Sequence, residues 1–177
     1  MFLKFIFSGF LTFCFCLIFS QLSFSSQTIQ KTDYFASLRS LETNVRAGPG
    51  QNYPVKFSYK IKGIPVRVIN EYDNWNEIED YEKQTGWVSQ SLLTKKRTVM
   101  VQTEKSFINM HNKNSEKSRI VYRLENNVIG DYLKCLNNWC GIKINGKKGW
   151  VEKAEIFGWS DEEQEPKKAD EKKNSEE

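Results

Sequence analysis

The feature that most constrains this chain is an internal repeat. Residues 63–78, which end Tyr72-Asp73-Asn74-Trp75-Asn76-Glu77-Ile78, lie without a gap over residues 127–142, which end Leu136-Asn137-Asn138-Trp139-Cys140-Gly141-Ile142. Further along, Gly86-Trp87-Val88 matches Gly149-Trp150-Val151, and upstream Asn44-Val45-Arg46 lies over Asn109-Met110-His111. The offset is 64 at Trp75/Trp139, 63 at Trp87/Trp150 and 65 at Arg46/His111. A period of this size is one small domain, not one turn of a solenoid. The chain of 177 residues therefore reads as two units of about 60 residues with charged or apolar ends. Units this small bury too little surface to carve a deep cleft beside a core, and large enzyme folds are excluded by length.

Within each copy the local signals are all β. Val55, Phe57, Tyr59 and Ile61 alternate with polar residues, as do Val66 and Val68. Gly48-Pro49-Gly50-Gln51-Asn52-Tyr53-Pro54 forbids helix and predicts a turn-rich loop. Asn145-Gly146 between Ile144 and Lys147 predicts a two-residue hairpin with positive φ at both turn positions. No helix longer than one turn is expected. About five short strands in 60 residues satisfy their edges best as a small barrel.

The ends carry different information. Lys4 precedes an apolar run from Phe5 to about Phe19, and Ser23-Phe24-Ser25 supplies small residues for a peptidase, so residues 1–25 read as a secretory signal with cleavage near Ser25. The run is shorter than the roughly 20 residues of a membrane span, and no small residue precedes Cys14 or Cys16 to suggest a lipoprotein. After processing no integral span is expected, and the location is periplasmic or secreted. Export agrees with the remaining cysteines, Cys135 and Cys140, which flank a four-residue polar turn between two strands and form an even pair. A structural disulfide is the expectation. A zinc site lacks a second cysteine or histidine pair. From Asp161 the chain holds 8 acidic and 4 basic residues and no aliphatic larger than Ala, which predicts a disordered charged tail over 159–177.

Asn44-Val45-Arg46-Ala47-Gly48-Pro49-Gly50, then Asp73-Asn74-Trp75, then Gly86-Trp87-Val88 together resemble the bacterial SH3-like (SH3b) family. Two copies behind an export signal, the second with cysteines astride its tryptophan, look like the exported tandem SH3-like proteins of Gram-negative bacteria. The resemblance covers about residues 34–158, as domains at 34–97 and 98–158. Copy two departs from the pattern at Met110-His111-Asn112-Lys113. The resemblance implies barrels of five or six strands, no cofactor and no catalytic residues. It also implies binding of peptides, often cell-wall peptides. Relative to the more distant eukaryotic SH3 domains, Trp75 stands at the ligand-stacking tryptophan, but Ser89 and Leu92 replace the Pro and Tyr that complete a proline-clamping groove.

Residue chemistry adds limits. The string Gly141-Ile-Lys-Ile-Asn-Gly146-Lys147 has Walker-like spacing but crosses a hairpin, where no helix N-terminus can cradle phosphate. His111 is the one histidine, expected to be solvated in a polar loop, so no metal site or hydrolase triad is expected. Glu71, Asp73, Glu77, Glu79, Asp80 and Glu82 read as a solvated acidic rim. Residues 26–160 carry 21 basic and 14 acidic side chains, a surplus concentrated at Lys95-Lys96-Arg97 and at Lys143, Lys147, Lys148 and Lys153. Export argues against nucleic acid as the partner of that charge.

Trp75 with Tyr72 and Tyr53, rimmed by Asn44, Arg46 and Asp73, is the candidate peptide-stacking shelf. The expectation is a monomeric, non-catalytic module that recognises a peptidoglycan stem peptide or an envelope-protein segment, with copy one as contact surface and copy two as scaffold. The competing reading is a structural adapter that docks an envelope protein or anionic polymer through a sheet edge or basic patches.

Overall fold

The computed structural model describes residues 28–160, so the expected signal segment and most of the charged tail lie outside the described residues. The first half contributes β1 (Gln30–Leu38), β2 (Thr43–Arg46), β3 (Val55–Tyr59), β4 (Pro65–Tyr72), β5 (Trp75–Glu79), β6 (Thr85–Ser89) and β7 (Leu93–Thr94). The second contributes β8 (Thr98–Val101), β9 (Ile108–His111), β10 (Ile120–Leu124), β11 (Ile129–Leu136), β12 (Trp139–Ile144), β13 (Lys147–Glu152) and β14 (Ile156–Phe157). Each half is one antiparallel sheet of seven strands, ordered β3-β2-β6-β5-β4-β1-β7 and β10-β9-β13-β12-β11-β8-β14. The second order is the first with every label raised by seven, so the sequence repeat is a repeat of topology. The helical content of the described residues is two single 3-10 turns, Gln90–Leu92 and Lys153–Glu155.

Each sheet wraps one core. Ala36, Leu38, Val45, Val66, Val68, Ile78 and Val88 fill the first, and Val99, Val101, Met110, Ile142 and Val151 lie in the second. Period-two alternation selects these residues, because every second side chain of a strand points to the same face. The turn at Asn145-Gly146 has φ of 48° and 81°, the double positive φ expected there. Gly86 and Gly149 occupy matched positions where strands approach closely. A Cβ on Gly86 would stand 2.5 Å from Val45 Cγ1, and one on Gly149 2.6 Å from Met110 Cγ.

Several boundaries differ from the sequence expectation. The first sheet starts at Gln30, not at residue 34, since Gln30 and Lys31 pair with Glu71 and Asn70. Their side chains are polar and exposed, so backbone pairing recruits them without an apolar signature. Each sheet has seven strands, not five or six, because a two-residue strand follows each 3-10 turn. Val55 and Ile61, apolar positions of the expected alternation, are exposed. Trp159, assigned above to the tail, packs against the second core and donates from its indole N–H to the Lys153 carbonyl at 3.0 Å.

The barrels also share an interface. Met100 of β8 is buried in the first core, and Phe35 meets Phe157 edge-to-face at 5.2 Å. The hydroxyls of Ser37 and Thr98 lie 2.7 Å apart, and the Thr98 hydroxyl donates to the Gly63 carbonyl at 2.6 Å. The basic run between the copies serves this junction. Lys96 pairs with Asp131 at 2.9 Å, while the Arg97 guanidinium covers the Tyr132 ring at 4.4 Å and donates to the Gly158 carbonyl.

Candidate functional site

Cross-strand partners in an antiparallel sheet share a face, so the register shows what the outside of barrel one presents. Trp75 stands opposite Tyr72 of β4 and Ser89 of β6. Glu77, next on that face of β5, stands opposite Asn70 and Trp87, and Trp87 in turn stands opposite Arg46 of β2. The outer face is therefore a half-exposed shelf of Tyr72 and Trp75 with Glu77 beside it, while Trp87, between Glu77 and Arg46, is covered and only 6% exposed. Between these side chains the inward residues Asn76, Ile78 and Val88 close the core.

The six predicted site residues separate into two groups. Tyr72, Asp73 and Trp75 form the β4–β5 hairpin tip, with Asp73 exposed and at φ 51°. Asn44, Arg46 and Tyr53 lie on and after β2, on the far side of β6. Arg46 acts on its own loop: its guanidinium donates to the Tyr53 carbonyl at 2.8 Å. The Tyr53 ring lies over Gly48, where a Cβ would meet it at 2.4 Å, and still leaves the residue 47% exposed. Asn44 accepts from the Ser58 hydroxyl of edge strand β3. Between the two groups stand Trp87, which is buried, and Glu77, which the sequence reading placed in the acidic rim and not beside Trp75. Alternation along β5 from Trp75 was the signal that could have found Glu77.

The acidic residues of this barrel are only partly a rim. Asp80 is 1% exposed. It accepts from the Tyr59 hydroxyl at 2.6 Å and from the backbone N–H groups of Glu82 and Gln84 at 2.9 Å, and so staples the β5–β6 turn. Burial, reinforced by the bond to Asp80, pushes the Tyr59 phenol far above its usual range. Glu71 accepts from the Tyr34 hydroxyl at 2.7 Å, and Asn76, 2% exposed, donates to the same hydroxyl at 3.1 Å. Burial first, then the hydrogen bond to Glu71, pushes the Tyr34 phenol up to about 12. On the sheet margin Arg67 grips Asp33 with two bonds of 2.7 and 2.6 Å, which lowers the Asp33 pKa.

Barrel two builds the same face from different residues. Cys135 stands opposite Cys140 and the two form the expected disulfide, with Cα atoms 4.0 Å apart. Trp139 stands opposite Leu136 and Glu152, and Trp150 opposite Gly141 and His111. His111 is not the solvated loop residue expected from its polar neighbours. It ends β9, is 6% exposed, and meets the Trp139 ring edge-to-face at 5.6 Å. Beside it opens a cleft of about 260 Å³ with Phe107 and Asn109 among its walls. Among the described residues no group of three or more His, Cys, Asp or Glu is placed to hold a metal ion. No helix among them is long and apolar enough to cross a membrane.

The family model for the bacterial SH3 domain matches this chain twice, over residues 40–95 and 104–158. The chain belongs to the bacterial SH3 domain family. Both matches fall within the two seven-stranded sheets, so each SH3 domain is one barrel. A relative is the Bacillus subtilis (strain 168) protein named "Putative N-acetylmuramoyl-L-alanine amidase YrvJ", 28% identical over 143 residues that span 72% of this chain. The match covers 26% of that relative's length, about a quarter. Among solved structures, NlpC2 from Trichomonas vaginalis aligns over 72% of this chain and 48% of its own with a TM-score of 0.34 and 12% identity. An NlpC/P60 family protein from Bacillus cereus ATCC 10987 aligns over 71% of this chain and 56% of its own with a TM-score of 0.32 and 13% identity.

Proposed function

We propose that this tandem SH3 protein is a non-catalytic, extracytoplasmic module that holds a peptidoglycan stem peptide or an envelope-protein segment. The observation that carries this reading is the outward shelf of Tyr72 and Trp75, with the carboxylate of Glu77 next on that face, on a barrel of the bacterial SH3 family. Flat aromatic surface beside a fixed polar group suits an extended peptide, because stacking supplies area while the polar group sets register. The relative named as an N-acetylmuramoyl-L-alanine amidase supports a cell-wall context. The basic-patch version of an adapter is less well supported, since Lys96 and Arg97 are engaged at the junction between barrels.

Incubation with purified murein sacculi followed by pelleting tests the proposal. The protein is expected to leave the supernatant with the sacculi, and Trp75→Ala to lower the bound fraction severalfold. Full retention of the unaltered protein in the supernatant would overturn it.

A further inference from the structure

We propose that the cleft of barrel two receives a primary ammonium group carried on the side chain of a diamino acid residue in the bound peptide, an inference that rests on the peptide-binding reading. Two acceptors on residues lining the cleft have no donor among the described residues. His111 Nδ1 lies 2.9 Å from the Ser118 carbonyl, which can only accept, so the ring hydrogen of the neutral imidazole sits on Nδ1. Nε2 is then an acceptor, and none of the described residues donates to it. Asn109 Oδ1 is buried without a hydrogen-bond partner among the described residues. Glu116 and Glu152 line the same cleft and form no ion pair there, whereas Glu155 is already paired with Lys105. Three of the lining residues are carboxylates and one is a lysine, and the Arg123 guanidinium stands over the ring of Phe107 at 4.8 Å.

A buried acceptor without a donor is costly, and a charged donor satisfies several at once. An ammonium has three N–H groups and no acceptor of its own, so it fits a lining of this kind, whereas a carboxylate or phosphate is repelled by it. The surroundings suit an aliphatic stem. Exposed Phe107 forms one wall, and Trp139 stands directly opposite Glu152 with its ring against His111. At about 260 Å³ the cleft holds one side chain and not a whole peptide. The stem is what reaches past the rings, which favours a side-chain amine over a free N-terminus. Barrel one has no such feature. Arg46 stands where His111 does, Ser89 where Glu152 does, and Glu77 where Gly141 does. Barrel two is therefore a second contact surface with its own chemistry and not a scaffold alone.

The test titrates the full chain with acetyl-Ala-Lys-Ala-amide while the indole N–H resonances of its tryptophans are followed by NMR. The expected result is a shift of Trp139 that weakens about tenfold in affinity when the lysine is Nε-acetylated. His111→Phe, which keeps the aromatic edge but removes Nε2, and Glu152→Gln, at a half-exposed position, should each weaken it severalfold. Equal affinity for the acetylated peptide, equal affinity for Ala-Ala-Ala-amide with a free N-terminus, or an unmoved Trp139 would overturn the inference. If sacculi still pellet the protein in that case, the peptide-binding reading survives without this cleft. If the lysyl peptide shifts Trp139 but sacculi are not bound, the cleft stands and the cell-wall source falls.

Discussion

Behind the Trp75 hairpin of barrel one, the cross-strand pair is Glu71 and Asn76; behind the Trp139 hairpin of barrel two it is Cys135 and Cys140. The register slot is identical, and the solutions are opposite in kind. The disulfide ties β11 to β12 and packs into the core of barrel two. The polar pair recruits a third strand, because Tyr34 of β1 bonds both members. On the outer face the row Arg46–Trp87–Glu77 is replaced by His111–Trp150–Gly141, a cation and an anion by an imidazole and a bare backbone. One backbone template thus carries a charged shelf in one copy and an acceptor-lined aromatic cleft in the other. The two copies share strand order and register and differ both in this inward pair and in what faces out.

The shared template predicts the largest effects. Gly86→Ala and Gly149→Ala should each destabilise by about 3 kcal/mol, since the new methyl meets packed side chains and backbone in both barrels. Denaturant unfolding checks this, and a marked inequality between the two would break the equivalence. Reduction of the Cys135–Cys140 bond should cost about 2 kcal/mol, the value for so short a loop. The converse graft sharpens the comparison. Glu71→Cys with Asn76→Cys should crosslink spontaneously under oxidation, detected by mass, because the two positions are direct partners. Glu71→Ala should cost about 1–2 kcal/mol by leaving the buried Asn76 amide and Tyr34 hydroxyl with fewer partners.

The smallest effect is a pH dependence at the Tyr34 slot of barrel one. The Tyr34 phenol is pushed up to about 12, whereas an unfolded chain ionises it near 10, so the folded state holds the proton more tightly. That contribution to stability is complete below about pH 10 and is lost as pH rises towards 12. Ultraviolet titration of the tyrosinate band, with Tyr34→Phe as the control, should show one late-ionising phenol lost with the substitution while that of Tyr59 remains. The corresponding slot of barrel two holds a disulfide and adds no such titration.

Much of this was legible because it is written in local patterns. The offset of 64 at the two hairpin tryptophans foretold two sheets of one order, and the spacing of Cys135 and Cys140 foretold their bond. What stayed hidden depends on partners distant in sequence. Asp80 looks like one more acid until Tyr59 and the turn amides surround it. His111 sits among polar residues, and only its pairing with Trp150 and its contact with Trp139 bury it. Met100 falls within the second expected domain, 98–158, yet its side chain lies in the first core, since docking of two barrels leaves no periodic trace. Tyr72, Asp73 and Trp75 of the predicted shelf lie together at the hairpin tip, whereas Arg46 and Tyr53 bond each other across β6 from it.

The most direct test of a duplicated barrel that grips peptides on its outer aromatic faces uses its five tryptophans as reporters. Purified muropeptides added to the isotope-labelled protein should shift the indole N–H of Trp75 and Trp139 in a saturable way. Trp159, whose indole N–H is bonded to the Lys153 carbonyl, should stay in place. Saturating muropeptide that leaves both hairpin tryptophans unmoved would contradict the account.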